Sequence, residues 1–424
     1  MTLILWAALI LLGLGVPIAF ALAIAAGIYV TVETPLPGLI VMQRMVTGVD
    51  SFPFMAIPFF MLAGSLVNIS GLSDRIIALA RGLVGHLPGG LANVSIVSSL
   101  LFAGVSGSSV ADASGLGRVL IPGMTRDGYG RSFPAAINAT SSTIGILIPP
   151  SIPMILAAVA TGLSVRELFF GGAVPGLLAA LALLVVSTWL SWRRGYGSLG
   201  AVTLVALLLA FLRALPVLGL VAIILGGIVF GVFTPTEASV IAVLYSLALG
   251  VAFRVLSFAQ FRAALVEAVI ATVAVMLIIA ASSVITWLLA RSMLPQQLAV
   301  QIAELGLPPQ VLLLAMAAAF LAAGTVLDVS PGVLLLGPIL LPVAVASGID
   351  PVHFVVVLVF SLAIGLFTPP VGTTLIISSY IAGRPVIDVA RQCLPFLGAM
   401  LVVLLAIILA PGLVLWLPGV LFGS

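Results

Sequence analysis

The chain carries the same backbone punctuation twice, 220 positions apart and without a gap. Leu87 and Pro88 face Leu307 and Pro308. Leu101, Ala103 and Gly104 face Leu321, Ala323 and Gly324. Leu116, Gly117, Leu120 and Pro122 face Leu336, Gly337, Leu340 and Pro342. Further on, Gly128, Ser141, Gly145, Pro149, Pro150 and Pro175 face Gly348, Ser361, Gly365, Pro369, Pro370 and Pro395. Leucine matches weigh little in so apolar a chain. The glycines and prolines carry the evidence, because each fixes a turn, a close approach or a break. A duplicated unit with interrupted helices is how secondary transporters set a site at mid-bilayer.

The stretch Leu101–Pro122 (LFAGVSGSSVADASGLGRVLIP) places Ser106, Gly107, Ser108, Ser109 and Asp112 between two apolar runs. With each arm about a dozen residues long, an arm spans roughly 20 Å, short of the ~30 Å hydrocarbon core. The pattern predicts a re-entrant hairpin that turns at mid-depth. Its copy predicts a second one.

The chain has 424 residues, 63% hydrophobic and 6% charged. That balance excludes a soluble domain and marks a polytopic membrane protein. The start (MTLILWAALILLGLG) lacks a basic region and a cleavage site, so it reads as a retained span. The single cysteine, Cys393, excludes an intramolecular disulfide and a thiolate metal cluster. Phosphate loops, HExxH, GxSxG and zinc spacings are absent, which argues against an enzyme and against ATP hydrolysis.

The hydrophobic pattern predicts spans at about 3–32, 51–72, 133–160, 170–192, 200–220, 222–252, 264–290, 351–380 and 394–418. Hairpins are predicted at about 93–125 and 313–346. Two amphipathic pieces, 72–86 and 291–305, precede them along the interface. Pro17 and Pro235 are expected to kink or interrupt long helices. One face collects Arg75, Arg81, Arg126, Arg131, Arg193, Arg194, Arg254, Arg262, Arg384 and Arg391; the other collects Arg44, Arg166 and Arg291. That asymmetry makes the first face cytoplasmic. The expected fold is thus all-α, with two inverted repeats, two re-entrant hairpins and two broken helices.

Two breaks follow the hairpins. One is Ser141-Ser142-Thr143-Ile144-Gly145 with Ile148-Pro149-Pro150-Ser151; the other is Ser361–Gly365 with Thr368-Pro369-Pro370-Val371-Gly372-Thr373-Thr374. Pro-Pro removes two N–H donors and leaves upstream carbonyls unpaired. Freed carbonyls and hydroxyls are hard ligands suited to an alkali cation, and helix N-termini at the tips suit a carboxylate. Asp112 and Asp328 are the acids within the hairpins; each reads as a Na⁺-site residue or as a helix cap. Arg118 favours pairing with an acid or snorkelling over meeting substrate. Asn138, Ser141 and Thr143 read as site-lining groups or as ordinary helix–helix hydrogen bonds. Glu237 reads mainly as a capping carboxylate. His86 and His353 are expected at the interface.

At GSSVAD (107–112), GVFTPTEAS (231–239), Arg126-Asp127-Gly128-Tyr129, the Pro-Pro breaks with TPPVGT (368–373) and GIDPVHF (348–354), the sequence resembles the large membrane subunit of TRAP transporters, the DctM type. The resemblance runs over essentially the whole chain. It implies a scaffold-plus-elevator protein of the bacterial inner membrane that drives uptake of an organic acid, such as a C4-dicarboxylate or sialic acid, with Na⁺. It also implies a periplasmic substrate-binding protein and a small four-helix DctQ-type membrane subunit, here in the unfused form.

Carried over by the resemblance, Ser106–Asp112 and Thr325–Pro331 become the tips, and Ser141–Gly145 and Gly365–Thr373 the cation-binding breaks. The substrate-binding candidates are then Ser106, Gly107, Ser108, Ser109, Asn138, Ser141, Thr325, Ser330 and Thr373. The Na⁺ candidates are Asp112, Ser141, Thr143, Gly145, Asp328, Gly365, Thr368 and Gly372. The expected division is scaffold at 1–90, 166–308 and 383–424, and transport domain at 91–165 and 309–382. A binding-protein-independent carboxylate symporter or antiporter of the same superfamily is the alternative.

Overall fold

The 220-residue offset is repeated in the helices. The structure is a computed structural model that describes residues 2–200, 202–304 and 306–423, and among them there are helices and no strands. Gly90–Ser106 and Ser109–Arg126 form the first hairpin; Pro309–Gly324 and Val329–Ala346 form the second. Ser73–Val84 and Leu294–Glu304 are the amphipathic pieces before them. The broken helices are Phe133–Ser141 with Ile152–Thr161, and Pro351–Gly365 with Thr373–Ala382.

The arms are longer than expected, at 17 and 18 residues in one hairpin and 16 and 18 in the other. Pro122 and Pro342 do not end their arms but lie inside them. In a packed bundle, neighbours re-satisfy the carbonyl that a proline frees. The first hairpin turns in two residues: Gly107 adopts φ +57°, and Ser108 caps the trailing arm by accepting from the Ala111 N–H at 3.4 Å. Asp328, 220 positions after Ser108, caps the other trailing arm by accepting from the Ser330 N–H at 3.4 Å. Asp112 falls opposite Gly332, so the two acids are not repeat equivalents.

Between the hairpins lie one broken helix and Val165–Arg194, Leu204–Val229, Pro235–Ala252 and Phe258–Arg291. Counted as crossings, this odd number opens the two hairpins on opposite faces. Seven helices among the described residues are long and apolar enough to cross a membrane. One of them, Val329–Ala346, is a hairpin arm, so length and composition alone misassign it.

The halves interlock. Thr373–Ala382 packs on the trailing arm of the first hairpin, and Ile152–Thr161 packs on the trailing arm of the second. Asn138 Nδ2 fastens the contact, donating at 2.9 Å to Ala113 O and at 2.9 Å to Ser378 Oγ.

Several expected boundaries move. The span expected at 3–32 is two helices, Thr2–Gly13 and Ile18–Glu33, because Pro17 starts the second one. Phe233-Thr234-Pro235 separates helices instead of interrupting one: Thr234 and Glu237 build a capping box for Pro235–Ala252. The expected 200–220 span therefore runs over Leu204–Val229. The C-terminal span ends at Leu409, and a further helix, Gly412–Phe422, follows Pro411. An unanticipated amphipathic helix, Leu39–Val49, packs on Phe258–Arg291.

Two packing groups result. Ala56–Ile69 lies against Pro235–Ala252 and Phe258–Arg291, which also carries Ile18–Glu33. Val165–Arg194, Val386–Leu409 and Gly412–Phe422 instead pack on the hairpins, the broken helices and one another.

Candidate functional site

Each hairpin tip meets the break of its own half. In the first half, Ser106 Oγ donates to Asp112 Oδ1, while Asp112 Oδ2 has no partner although the residue is fully buried. That oxygen points at Gly145: a Cβ there would stand 2.6 Å from it. Only glycine leaves backbone bare in front of the carboxylate. The Ile152 N–H donates to Gly107 O at 3.3 Å, tying the tip to the far side of the break. Ser151 Oγ donates to Ile146 O and caps Ile152–Thr161. Among the described residues the carbonyls of Leu147, Ile148, Pro149 and Pro150 accept no hydrogen bond. The Pro149–Pro150 and Pro369–Pro370 bonds are both cis.

The second half is arranged differently. Asp328 is satisfied on both oxygens, by the Ser330 N–H and by Thr373 Oγ1 at 3.4 Å. Thr325 O accepts from the Val371 and Gly372 N–H groups at 3.1 and 3.2 Å. Gly365 packs directly on Gly324, with no room for a Cβ. The carbonyls of Phe367, Thr368, Pro369 and Pro370 accept no hydrogen bond among the described residues. Pro369, Pro370 and Val371 are exposed, whereas Pro149, Pro150 and Ser151 are buried.

The structure thus gathers Ser106, Gly107, Ser108, Ser109, Asp112 and Gly145 in one place, and Thr325, Asp328, Ser330, Gly372 and Thr373 in another. Other candidates face elsewhere. Thr143 Oγ1 donates to Thr140 O at 2.7 Å, and Thr368 Oγ1 to Ile364 O at 2.8 Å. Ser141 Oγ accepts from Ser99 Oγ at 3.1 Å. Asn138 takes the helix–helix role, because its Nδ2 is committed between the halves.

Glu237 is exposed, and its Oε2 accepts from Thr234 N and Oγ1 at 2.8 Å, which is the capping reading. Arg118 is exposed and forms no ion pair among the described residues, so the expected acid partner is not there. His353 corrects its expectation: it is buried, and its Nε2 lies 2.8 Å from Ile407 O.

Sequence reasoning missed Ser65, Asn68 and Glu267. With Ser106, Ser108 and Ser114 they line a cavity of about 140 Å³ at the first tip. Asn68 and Glu267 had a signal, being polar groups in otherwise apolar helices. What no sequence pattern gave was their approach to a tip some forty and a hundred and fifty positions away.

The family model described as "Tripartite ATP-independent periplasmic transporter, DctM component" matches residues 4–413. The chain belongs to the DctM family. It is 39% identical over 419 residues to the sialic acid TRAP transporter large permease protein SiaM of Vibrio cholerae, covering 97% of each chain. It is 39% identical over 371 residues to the C4-dicarboxylate TRAP transporter large permease protein DctM of Pseudomonas aeruginosa, covering 87% of each. Among solved structures, the YdaH transporter of Alcanivorax borkumensis superposes with a TM-score of 0.65 at 16% identity, over 98% of each chain. At that identity the likeness concerns the fold alone. The chain is therefore a TRAP large permease subunit and a multi-pass membrane protein, and its relatives are permeases, not enzymes.

Proposed function

We propose that this DctM-family subunit couples inward Na⁺ movement to uptake of a small organic acid across the bacterial inner membrane. It works with a periplasmic binding protein and a small four-helix membrane subunit. The observation that carries the reading is Asp112 Oδ2, a buried and unpartnered carboxylate oxygen beside a break with four unpaired carbonyls. Unpaired buried groups of this kind are costly in hydrocarbon. Hard oxygens are what an alkali cation takes.

Asp112 and the carbonyls of 147–150 would hold one Na⁺ as co-substrate; Asp328, Thr373 and the carbonyls of 367–370 would hold another. Bound positive charge at a tip favours closing it over an anion, which couples the two bindings. The tip hydroxyls of Ser108 and Ser109 are the groups for the substrate carboxylate, since Ser106 gives its proton to Asp112.

The moving body in this reading is larger than the hairpins and broken helices. Val165–Arg194 and the helices from 386 to 422 travel with them, because their packing partners all lie there. The scaffold is the group around Ala56–Ile69, Pro235–Ala252 and Phe258–Arg291, with the amphipathic helices as levers. The test is uptake of a labelled C4-dicarboxylate or sialic acid by the reconstituted three-component system. We expect uptake only with the binding protein and an inward Na⁺ gradient. Uptake without the binding protein would transfer the assignment to the symporter alternative; rapid downhill flux without Na⁺ would make it a channel.

A further inference from the structure

The cavity at the first tip has walls from both packing groups. Ser106, Ser108 and Ser114 of the hairpin form one wall; Ser65 and Asn68 of Ala56–Ile69, with Glu267 of Phe258–Arg291, form the other. Two glycines permit the approach. A Cβ at Gly64 would lie 3.2 Å from Ser106 Cα, and one at Gly115 would lie 2.9 Å from Asn68 Oδ1.

Glu267 is the one charged side chain lining this cavity, and it makes no ion pair among the described residues. Glu267 and Ala271 also line an open groove of about 770 Å³ that runs along the same helix past Arg262. The carboxylate therefore stands at the junction of groove and cavity. An ionisable group inside a membrane span costs free energy unless water or a partner meets it. Glu267 is exposed, so the groove leaves its carboxylate open to such a partner.

We infer that Glu267 is a specificity-determining residue of a substrate vestibule, selecting acids that bear a hydroxyl or ammonium group over unsubstituted dicarboxylates. The inference rests on the organic-acid reading above. Ser108 supplies a donor to a carboxylate, Ser106 and Ser114 having given theirs to Asp112 and Ala111. Glu267 offers only acceptors, so it repels a second carboxylate and receives an O–H or N–H donor. Ser65 and Asn68 complete the polar lining.

The probe is Ser65→Cys in membrane vesicles, where the native Cys393 is buried. It is labelled with positively and negatively charged methanethiosulfonates of matched size. We expect the cationic reagent to react faster by about tenfold, from one nearby charge, and the preference to vanish with Glu267→Gln or with Glu267→Ala. Protection of Ser65→Cys is then compared for succinate, malate and aspartate, which differ in one substituent. Malate and aspartate should protect better than succinate, and Glu267→Gln should level the three. Absence of labelling, or an unchanged charge preference in both variants, overturns the vestibule. A charge preference with equal protection by the three acids overturns the selectivity. Failure of the organic-acid reading shows separately, as no protection by any of the three or by sialic acid beside intact labelling.

Discussion

The Nε2 of His353 lies 2.8 Å from the carbonyl oxygen of Ile407, and Pro411 is the reason that oxygen is free. In a continuing helix the residue four positions on would donate to it, and proline has no N–H. A carbonyl only accepts, so Nε2 carries the proton. The bond joins the second broken helix to Val386–Leu409, which fits their assignment to one moving body.

His353→Ala should lose about 1–3 kcal/mol, because a buried acceptor is left unpaired. The thermal midpoint of the purified protein measures it. His353→Gln, which keeps a donor, should recover part of the loss.

Gly145→Ala should impair Na⁺ dependence more than stability. Its methyl group would displace the free oxygen of Asp112. The expected outcome is at least about a tenfold rise in the Na⁺ concentration for half-maximal uptake, equivalent to ~1.4 kcal/mol. Asp112→Asn should match it. Unchanged Na⁺ dependence in both would remove Asp112 from the cation site.

Asp328 has two roles that two substitutions separate. Asparagine caps helices as well as aspartate does, so Asp328→Asn should fold normally yet cut Na⁺-dependent uptake severely. Asp328→Ala should in addition cost about 1 kcal/mol of cap energy. Wild-type uptake by the asparagine variant would leave Asp328 as a cap alone.

Gly365→Ala should reduce folded yield. The added Cβ meets the backbone of Gly324, which cannot swing aside as a side chain can. Overpacking of this kind costs roughly 1–3 kcal/mol, and a melting curve after detergent extraction would record it. Gly398→Ala, with open space around it, is the control.

The repeat was legible because glycine and proline mark backbone events that apolar substitution cannot blur. Gly107, Pro149, Pro150, Pro369 and Pro370 all stand at turns or breaks in the structure. Pro122 and Pro342 misled, since packing tolerates them inside helices. Pro17 and Pro235 were expected to kink or interrupt long helices, and both stand at interruptions, since a proline at a helix start begins a helix as readily as it bends one. Asp112 and Asp328 shared the same two readings, but the offset pairs Ser108 with Asp328 and Asp112 with Gly332, so their surroundings differ. Glu267 and Asn68 were visible as polar groups in apolar helices, but their place at the first tip was not, because it comes from two helices approaching a loop across the bundle.

Each trailing arm rests on a helix supplied by the opposite half. Before duplication, a single such unit would have lacked its floor unless a second copy lay beside it upside down. On this account, the present protein cut between residues 200 and 204 and expressed as two pieces should reassemble in the membrane, while neither piece alone would be stable.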